Sequence, residues 1–332
     1  MDGLARAPVP APGAMQETAS GPVRRLPLSC ALTDARRAHH DSVTSTNTVA
    51  WQEIDAGQTA LGAPARWVTA DQQTAGKGRS GKAWATPVGN VAASLHISRA
   101  VPTLAARLAL PLVAATATHD AVAMACPELR PGALELKWPN DLLLDGAKLA
   151  GILIETRSVP GRDDALHCVI GIGINVASAI PPAVAPGRRV AQLSQSAPAV
   201  TPEHVRDCLV VAMDHHLGIW SALTGSVAGQ AARAQATPLG SRTDGQESLV
   251  GRVQPGAGGE GAQRRHQTTI PPLIRTAYLA RALAIGTPIS VTAADGAQSG
   301  LFAGLADDGA LRLRNRHAGE RTFAFGEVNV LI

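Results

Sequence analysis

The 332 residues, 45% of them hydrophobic, are enough for a sizeable core and for two modest domains. Aromatics are only 3% of the chain, so the core must be packed mainly with Ala, Leu, Val and Ile. A formal net charge of +4, scattered along the sequence, does not by itself make a nucleic-acid or membrane surface. Cys30, Cys126, Cys168 and Cys208 lie far apart, with no C-x-x-C and no zinc spacing, which favours reduced thiols and a cytoplasmic protein.

Residues 1–28 are rich in Pro, Ala and Gly and contain no apolar h-region. They are expected to be a disordered tail without a signal peptide, too short to hold an N-terminal DNA-binding helix-turn-helix. No uncharged apolar run approaches the ~20 residues needed to span a bilayer, so no membrane association is expected. Ser45, Thr46 and Asn47 are helix-capping types ahead of a predicted helix at Val49–Ile54. Three in a row exceed what one cap requires, leaving groups for a polar ligand.

Residues 67–70 and 90–97 read as strands flanking A-D-Q-Q-T-A-G-K-G-R-S-G-K-A-W (70–84). Gly76, Gly78 and Gly81 alternate there with Lys77, Arg79 and Lys82, and Trp84 closes the stretch. That composition is either a solvated turn or a loop that handles an anion, most naturally phosphate. It is not a Walker A loop, and it lacks the G-x-G-x-x-G dinucleotide fingerprint. Thr103–Cys126 carries Leu104, Leu108, Leu112 and Ala115 at helical spacing, with Pro111 as a kink, and reads as a core helix.

In L-E-L-K-W-P-N-D-L-L-L-D-G-A-K-L-A-G-I-L-I-E (134–155), a half-buried strand stops at Pro139. A hairpin follows, turning at Asp145-Gly146. Asn140 and Asp141 project from the first strand's end. Lys148 lies in the returning strand, where it either snorkels to solvent or meets an anion in a pocket. C-V-I-G-I-G-I-N-V (168–176) is a buried strand in which Gly171 and Gly173 mark either a bulge or a close approach. Residues 202–220 form an amphipathic helix whose adjacent His215 and His216 have the wrong spacing for a metal. Residues 225–267 lack hydrophobic period and read as a flexible insertion, and a helical pattern returns over 272–283. Five short strands in the last fifty residues predict a small barrel with Leu311 and Leu313 inside and Arg312 and Arg314 outside.

The loop G-K-G-R-S-G-K-A-W, the K-W-P-N-D-L hairpin ending K-L-A-G-I-L-I-E, and the strand G-I-G-I-N-V occur in one order. Together they resemble the biotin protein ligase (biotin–[acetyl-CoA-carboxylase] ligase) family from about Val43 to Trp220, and again from Leu273 onward. The resemblance implies a mixed α/β sheet with helices on one face (29–224) and an SH3-like barrel (284–332); between them lie the insertion read from composition (225–267) and a connecting helix (268–283). It further implies that biotin and ATP form biotinyl-5′-adenylate, from which the acyl group passes to a lysine of a biotin carboxyl carrier protein.

By that resemblance Ser45, Thr46, Asn47 and Gln73 contact the ureido end of biotin, and Gly171 and Gly173 leave room for its ring. Lys77, Gly78 and Arg79 fold over the carboxylate and phosphate. Gly76, Lys82, Trp84, Asn140, Asp141 and Asn175 belong to the ATP side, and Trp84 packs on adenine. Lys148 and Arg79 stabilise developing charge. Mg²⁺ arrives with ATP, near Asp141, rather than in a protein cage. The family loop usually reads G-R-G-R-R-G-R; here Lys77, Ser80 and Lys82 replace three arginines, and lysine lacks the bidentate fork. A homodimer is compatible with the family. The alternatives are a biotin-dependent repressor, a lipoate or octanoate ligase or transferase, and an inactive paralogue.

Overall fold

A computed structural model describes residues 36–101, 103–180, 189–225, 247–248, 268–315 and 319–331. The predicted tail, and all of the predicted insertion except residues 225 and 247–248, lie outside them. The first sheet runs in the order β1 (Arg36–Val43), β2 (Arg66–Gln73), β3 (Val91–Ala100), β7 (Arg162–Ile174), β6 (Ala147–Val159), β5 (Asp141–Leu144) and β4 (Leu134–Lys137). β1 and β2 are parallel and every other neighbouring pair is antiparallel, so the sheet is mixed as expected. β8 (Glu247–Ser248) pairs with β6 at Glu155 and Thr156, placing two residues of the predicted insertion on the sheet. The β5–β6 turn carries positive φ at both Asp145 and Gly146 (50° and 73°), the geometry that made Asp-Gly the hairpin signal.

Helices cover both faces of this sheet, not one. α1 (Thr46–Asp55) packs Ala50, Trp51 and Ile54 on Val68 and Val169. α2 (Leu104–Ala125) and α3 (Pro202–Thr224) lie on the other face, over Trp67, Leu95, Ile97, Ile170 and Ile172. Strand alternation explains the division, since Trp67 and Val68, like Val169 and Ile170, must point oppositely. Thr103 and Thr201 cap α2 and α3 by accepting from Ala106 N and His204 N. By length and composition α2 could cross a membrane, but 67% of its apolar window is buried inside the fold. Leu104, expected in the core stripe, is 39% exposed.

α4 (Pro272–Leu279) is one turn shorter than its sequence pattern. Residues 281–283 then run beside β4: Leu136 N donates to Arg281 O, Leu283 N donates to Leu136 O, and Leu136 bridges Ala282 in parallel. The second sheet is antiparallel, in the order β12 (Gly319–Phe323), β11 (Leu311–Asn315), β10 (Gly296–Leu305), β9 (Pro288–Ala293), β13 (Glu327–Val330). Among the described residues no ladder joins β12 to β13, so the five expected strands form an open sheet rather than a closed barrel. Leu311 and Leu313 point inward, as their alternation predicts. Ile289, Val291, Phe302 and Val328 belong to the same buried cluster as α2 and α3. The core therefore runs from one sheet into the other.

Candidate active site

On the α1 face of the first sheet lies a cavity of about 640 Å³. Of the residues singled out by sequence, all but Ser45, Asn47 and Gly76 line it. The glycine loop folds back on itself: Trp84 N donates to Gly76 O, Gly78 N to Lys82 O, and Lys77 bridges Ala83. Its tip is a 3-10 turn, Arg79–Gly81, with Ser80 at φ 55°. Arg79 is half-buried. Its Nη1 donates to Asn140 Oδ1 (3.0 Å) and its Nη2 to Gly326 O (3.4 Å). Burial lowers its pKa, an effect partly opposed by Asp141 and Glu327.

Lys148 meets an anion and does not snorkel away. Its Nζ lies 2.6 Å from Asp141 Oδ1 and 5.3 Å from the centre of the Trp84 ring. Lys137 holds the other carboxylate oxygen, Asp141 Oδ2, at 3.0 Å and donates to Val328 O at 2.8 Å. Burial alone would raise the Asp141 pKa, but Lys148 and Lys137 outweigh it and hold the carboxyl below its usual range. Asn140 Nδ2 donates to Ile152 O, which fixes the amide that Arg79 reaches. Asn175 is buried, and its Nδ2 donates to Ala191 O (3.2 Å) and Lys148 O (3.4 Å), so it braces the wall behind Lys148.

The two strand glycines mark close approaches rather than a bulge. Their cross-strand partners are Leu153 and Gly151. A Cβ on Gly171 would sit 2.2 Å from Asn47 Oδ1, and one on Gly173 would sit 2.2 Å from Trp84 Nε1. The missing side chains thus make room for an asparagine amide packed behind the strand and for an indole that lines the cavity. Gly76 is likewise required by the approach of Trp84 O, 2.3 Å from its would-be Cβ.

At the α1 end, Thr46 N, a first-turn amide without a helical partner, donates to Gln73 Oε1 at 2.9 Å. Asn47 lies behind Gly171, with Nδ2 donating to Glu155 Oε2 (2.8 Å) and Oδ1 accepting from Ser94 Oγ (2.6 Å). Ser45 occupies the N-cap position, buried, with no side-chain cap bond.

Sequence reasoning missed several contributors. Lys137 stood inside the K-W-P-N-D motif and could have been found there. Arg107 on α2 and residues 324–328 of the second sheet also line the cavity, and Lys82 Nζ lies 2.6 Å from Glu327. Nothing local in the sequence points to these. Lys77, Arg79, Lys82, Arg107, Lys137 and Lys148 face Asp141 and Glu327 in the lining, six cations against two carboxylates. The arrangement can gather two anions and hold them against each other.

The profile of the biotin/lipoate A/B protein ligase family matches residues 40–175. A biotin–[acetyl-CoA-carboxylase] ligase of Paracoccus denitrificans is 34% identical over 267 residues, 79% of this chain and 89% of that protein. The bifunctional ligase/repressor BirA of Escherichia coli is 40% identical over 111 residues, 32% of each chain. The biotin protein ligase of Aquifex aeolicus, solved with biotin and ATP, superposes with a TM-score of 0.58 at 18% identity, covering 89% of this chain and 99% of that one. At that identity the structural likeness speaks for the fold alone. The profile spans the strands, loop and hairpin that build the cavity, and the Paracoccus relative extends the likeness over most of both chains: the protein belongs to the biotin/lipoate A/B protein ligase family.

Proposed function

We infer that the protein is a biotin–[acetyl-CoA-carboxylase] ligase. The carboxylate of biotin attacks the α-phosphorus of ATP, pyrophosphate leaves, and biotinyl-5′-adenylate remains. An amine of a biotin carboxyl carrier protein then attacks the acyl carbon and AMP leaves. The observation that carries this reading is the gathering of Thr46, Gln73, the glycine loop, Asp141, Lys148 and the β7 glycines around one cavity with four excess positive charges. Adenylation must press a carboxylate against a phosphate, and preorganised cations offset that repulsion. The cavity also lies within the usual range for small-ligand sites, about 300–1,000 Å³.

In this reading Lys148 and Arg79 neutralise the charge that builds between carboxylate and phosphate, Lys137 assists them, and Thr46 and Gln73 receive the polar head of biotin. The glycine loop excludes water from the reactive anhydride. Among the described residues no group of three or more metal-ligating side chains occurs. Mg²⁺ needs only one or two carboxylates plus substrate phosphates; Asp141, the carboxylate expected beside it, has both oxygens held by Lys148 and Lys137, so the residues present do not fit a protein-held Mg²⁺. The three described cysteines are free and buried, and burial pushes the Cys168 thiol up to about 12, which suits a reducing cytoplasm.

The test is to incubate the purified protein with labelled biotin, MgATP and a carrier domain, alongside Lys148→Ala and Arg79→Ala. Label is expected on the carrier, and at least about 100-fold less in either variant. Transfer of lipoate or octanoate in place of biotin would overturn the substrate assignment. Transfer of neither would favour an inactive paralogue.

A further inference from the structure

A continuous file of side chains crosses the sheet beneath α1 and ends at the cavity. Glu155 Oε2 accepts from Asn47 Nδ2 (2.8 Å) and from Trp51 Nε1 (3.1 Å). Asn47 Oδ1 is 2.6 Å from Ser94 Oγ, which is 2.7 Å from Thr46 Oγ1. Thr46 N and Oγ1 lie 2.9 and 3.2 Å from Gln73 Oε1, and Gln73 Nε2 donates to Thr86 Oγ1 at 2.9 Å. Asn47, Ser94, Thr46 and Thr86 are at most 4% exposed. Only Thr46 and Gln73 of this file line the cavity.

The groups at the two ends orient the two amides and constrain the protons between them. A carboxylate only accepts, so Asn47 must turn Nδ2 toward Glu155 and Oδ1 toward Ser94. Oδ1 only accepts, so it takes the single Ser94 hydroxyl proton. Two hydroxyl protons serve three oxygen–oxygen contacts, so with Ser94 giving its proton to Asn47 we assign that of Thr46 to the 2.7 Å contact with Ser94 rather than to the longer 3.2 Å contact with Gln73 Oε1. At the other end a backbone N–H, which only donates, holds Gln73 Oε1 toward Thr46. With its proton committed to Ser94, the Thr46 hydroxyl turns lone pairs to the cavity, and Gln73 Oε1 keeps one as well.

We propose that Glu155 is a positioning residue which, through Asn47 and Ser94, sets Thr46 Oγ1 and Gln73 Oε1 as a pair of acceptors, so that this end of the cavity selects a head group with N–H donors. The cyclic urea of biotin carries two, and the dithiolane of lipoate carries none. The inference rests on the proposed biotin ligase activity. A site built to pair with an N–H leaves its own buried acceptors unpaired when the N–H is missing, which makes it a strong filter.

The experiment compares wild type with Glu155→Ala, Glu155→Gln and Ser94→Ala, measuring KM for biotin and for ATP separately, with thermal melts of each. The expected result for Glu155→Ala is a biotin KM raised at least tenfold with an ATP KM within twofold of wild type. Glu155→Gln, whose amide oxygen still accepts from Asn47, recovers most of the loss. Ser94→Ala breaks the file at its middle and raises biotin KM alone even if Glu155→Ala fails to fold. A parallel rise in both KM values would reduce Glu155 to a structural role and overturn the proposal. So would unchanged biotin KM in folded Glu155→Ala with wild type active. A wild type that transfers no biotin would overturn the ligase reading itself and this inference with it.

Discussion

Replacing Gly171 by alanine tests the packing behind the cavity wall most directly. The new Cβ would sit 2.2 Å from Asn47 Oδ1, 2.9 Å from its Cγ and 3.0 Å from its Nδ2, so the amide must retreat by about 1 Å to reach ordinary contact. It has nowhere to go: Nδ2 is held by Glu155, Oδ1 by Ser94, and the Cα by the first turn of α1. Losing a hydrogen bond to a charged group costs about 1.5–3 kcal/mol, and overpacking adds about 1–3 kcal/mol. The expected destabilisation is therefore about 2.5–6 kcal/mol, a fall in melting temperature of roughly 5–24 °C for a domain of this size. Gly173→Ala meets an equally close atom, Trp84 Nε1 at 2.2 Å. Trp84 sits on the half-exposed loop and can swing, so this variant should lose about 1 kcal/mol or less while ATP KM rises. Thermal and urea melts of both proteins decide the matter. A Gly171→Ala protein melting within about 2 °C of wild type, or one more stable than Gly173→Ala, would refute the claim that Asn47 is immovable.

Other expectations follow from single contacts. Lys148→Ala should lower kcat for pyrophosphate release about 100-fold or more with a smaller change in melting temperature, because Lys137 still holds Asp141; a wild-type kcat would remove Lys148 from the chemistry. Asp120 of α2 binds Arg281 Nε and Nη2 (2.6 and 2.8 Å), His216 and His119. Burial alone would raise its pKa, but these partners hold it well below the usual range. A depressed carboxyl contributes stability that is present above its unfolded value, about 3.9, and is lost as pH falls through the folded value. Asp120→Asn should therefore cost about 2 kcal/mol at pH 7 and progressively less below about pH 4; a gap in urea stability independent of pH would contradict this. The Tyr278 hydroxyl is fully buried without a hydrogen-bond partner among the described residues. Tyr278→Phe should consequently be neutral or up to about 1 kcal/mol more stable, and a loss exceeding 1 kcal/mol in denaturant melts would count against it.

Local signals carried the elements well. Asp145-Gly146 announced its hairpin, the spacing of Leu108, Leu112 and Ala115 the long helix α2, and the glycine–cation alternation of 76–82 its loop. Lys148 was legible as a choice between solvent and an anion, and Asp141 decided it. What stayed hidden depends on contacts between distant segments. Ser94 reads as one more residue of a buried strand, and Glu155 as the polar end of a hairpin, until α1 brings Asn47 between them. The side of the sheet that α1 covers follows from how β1 feeds it, not from its own pattern. Leu104 kept helical spacing yet lies in the cavity lining, partly exposed. Glu327, over two hundred residues from Lys82, gave no sign of its destination.

Pairing of residues 281–283 with β4 has a consequence for anyone trimming the chain. Leu136 faces Leu142 of β5 on one side and is hydrogen-bonded on the other to Arg281 and Leu283, so the last described strand on this side of the sheet is sealed by the segment that leads to the second sheet. A shortened protein ending before Ala280 would lose that seal together with Val328, the acceptor for Lys137. Its raw rim would present Leu136 N–H and C=O beside Leu134, a template for edge-to-edge association. Such a fragment is expected to aggregate rather than to persist as a small, independent catalytic module.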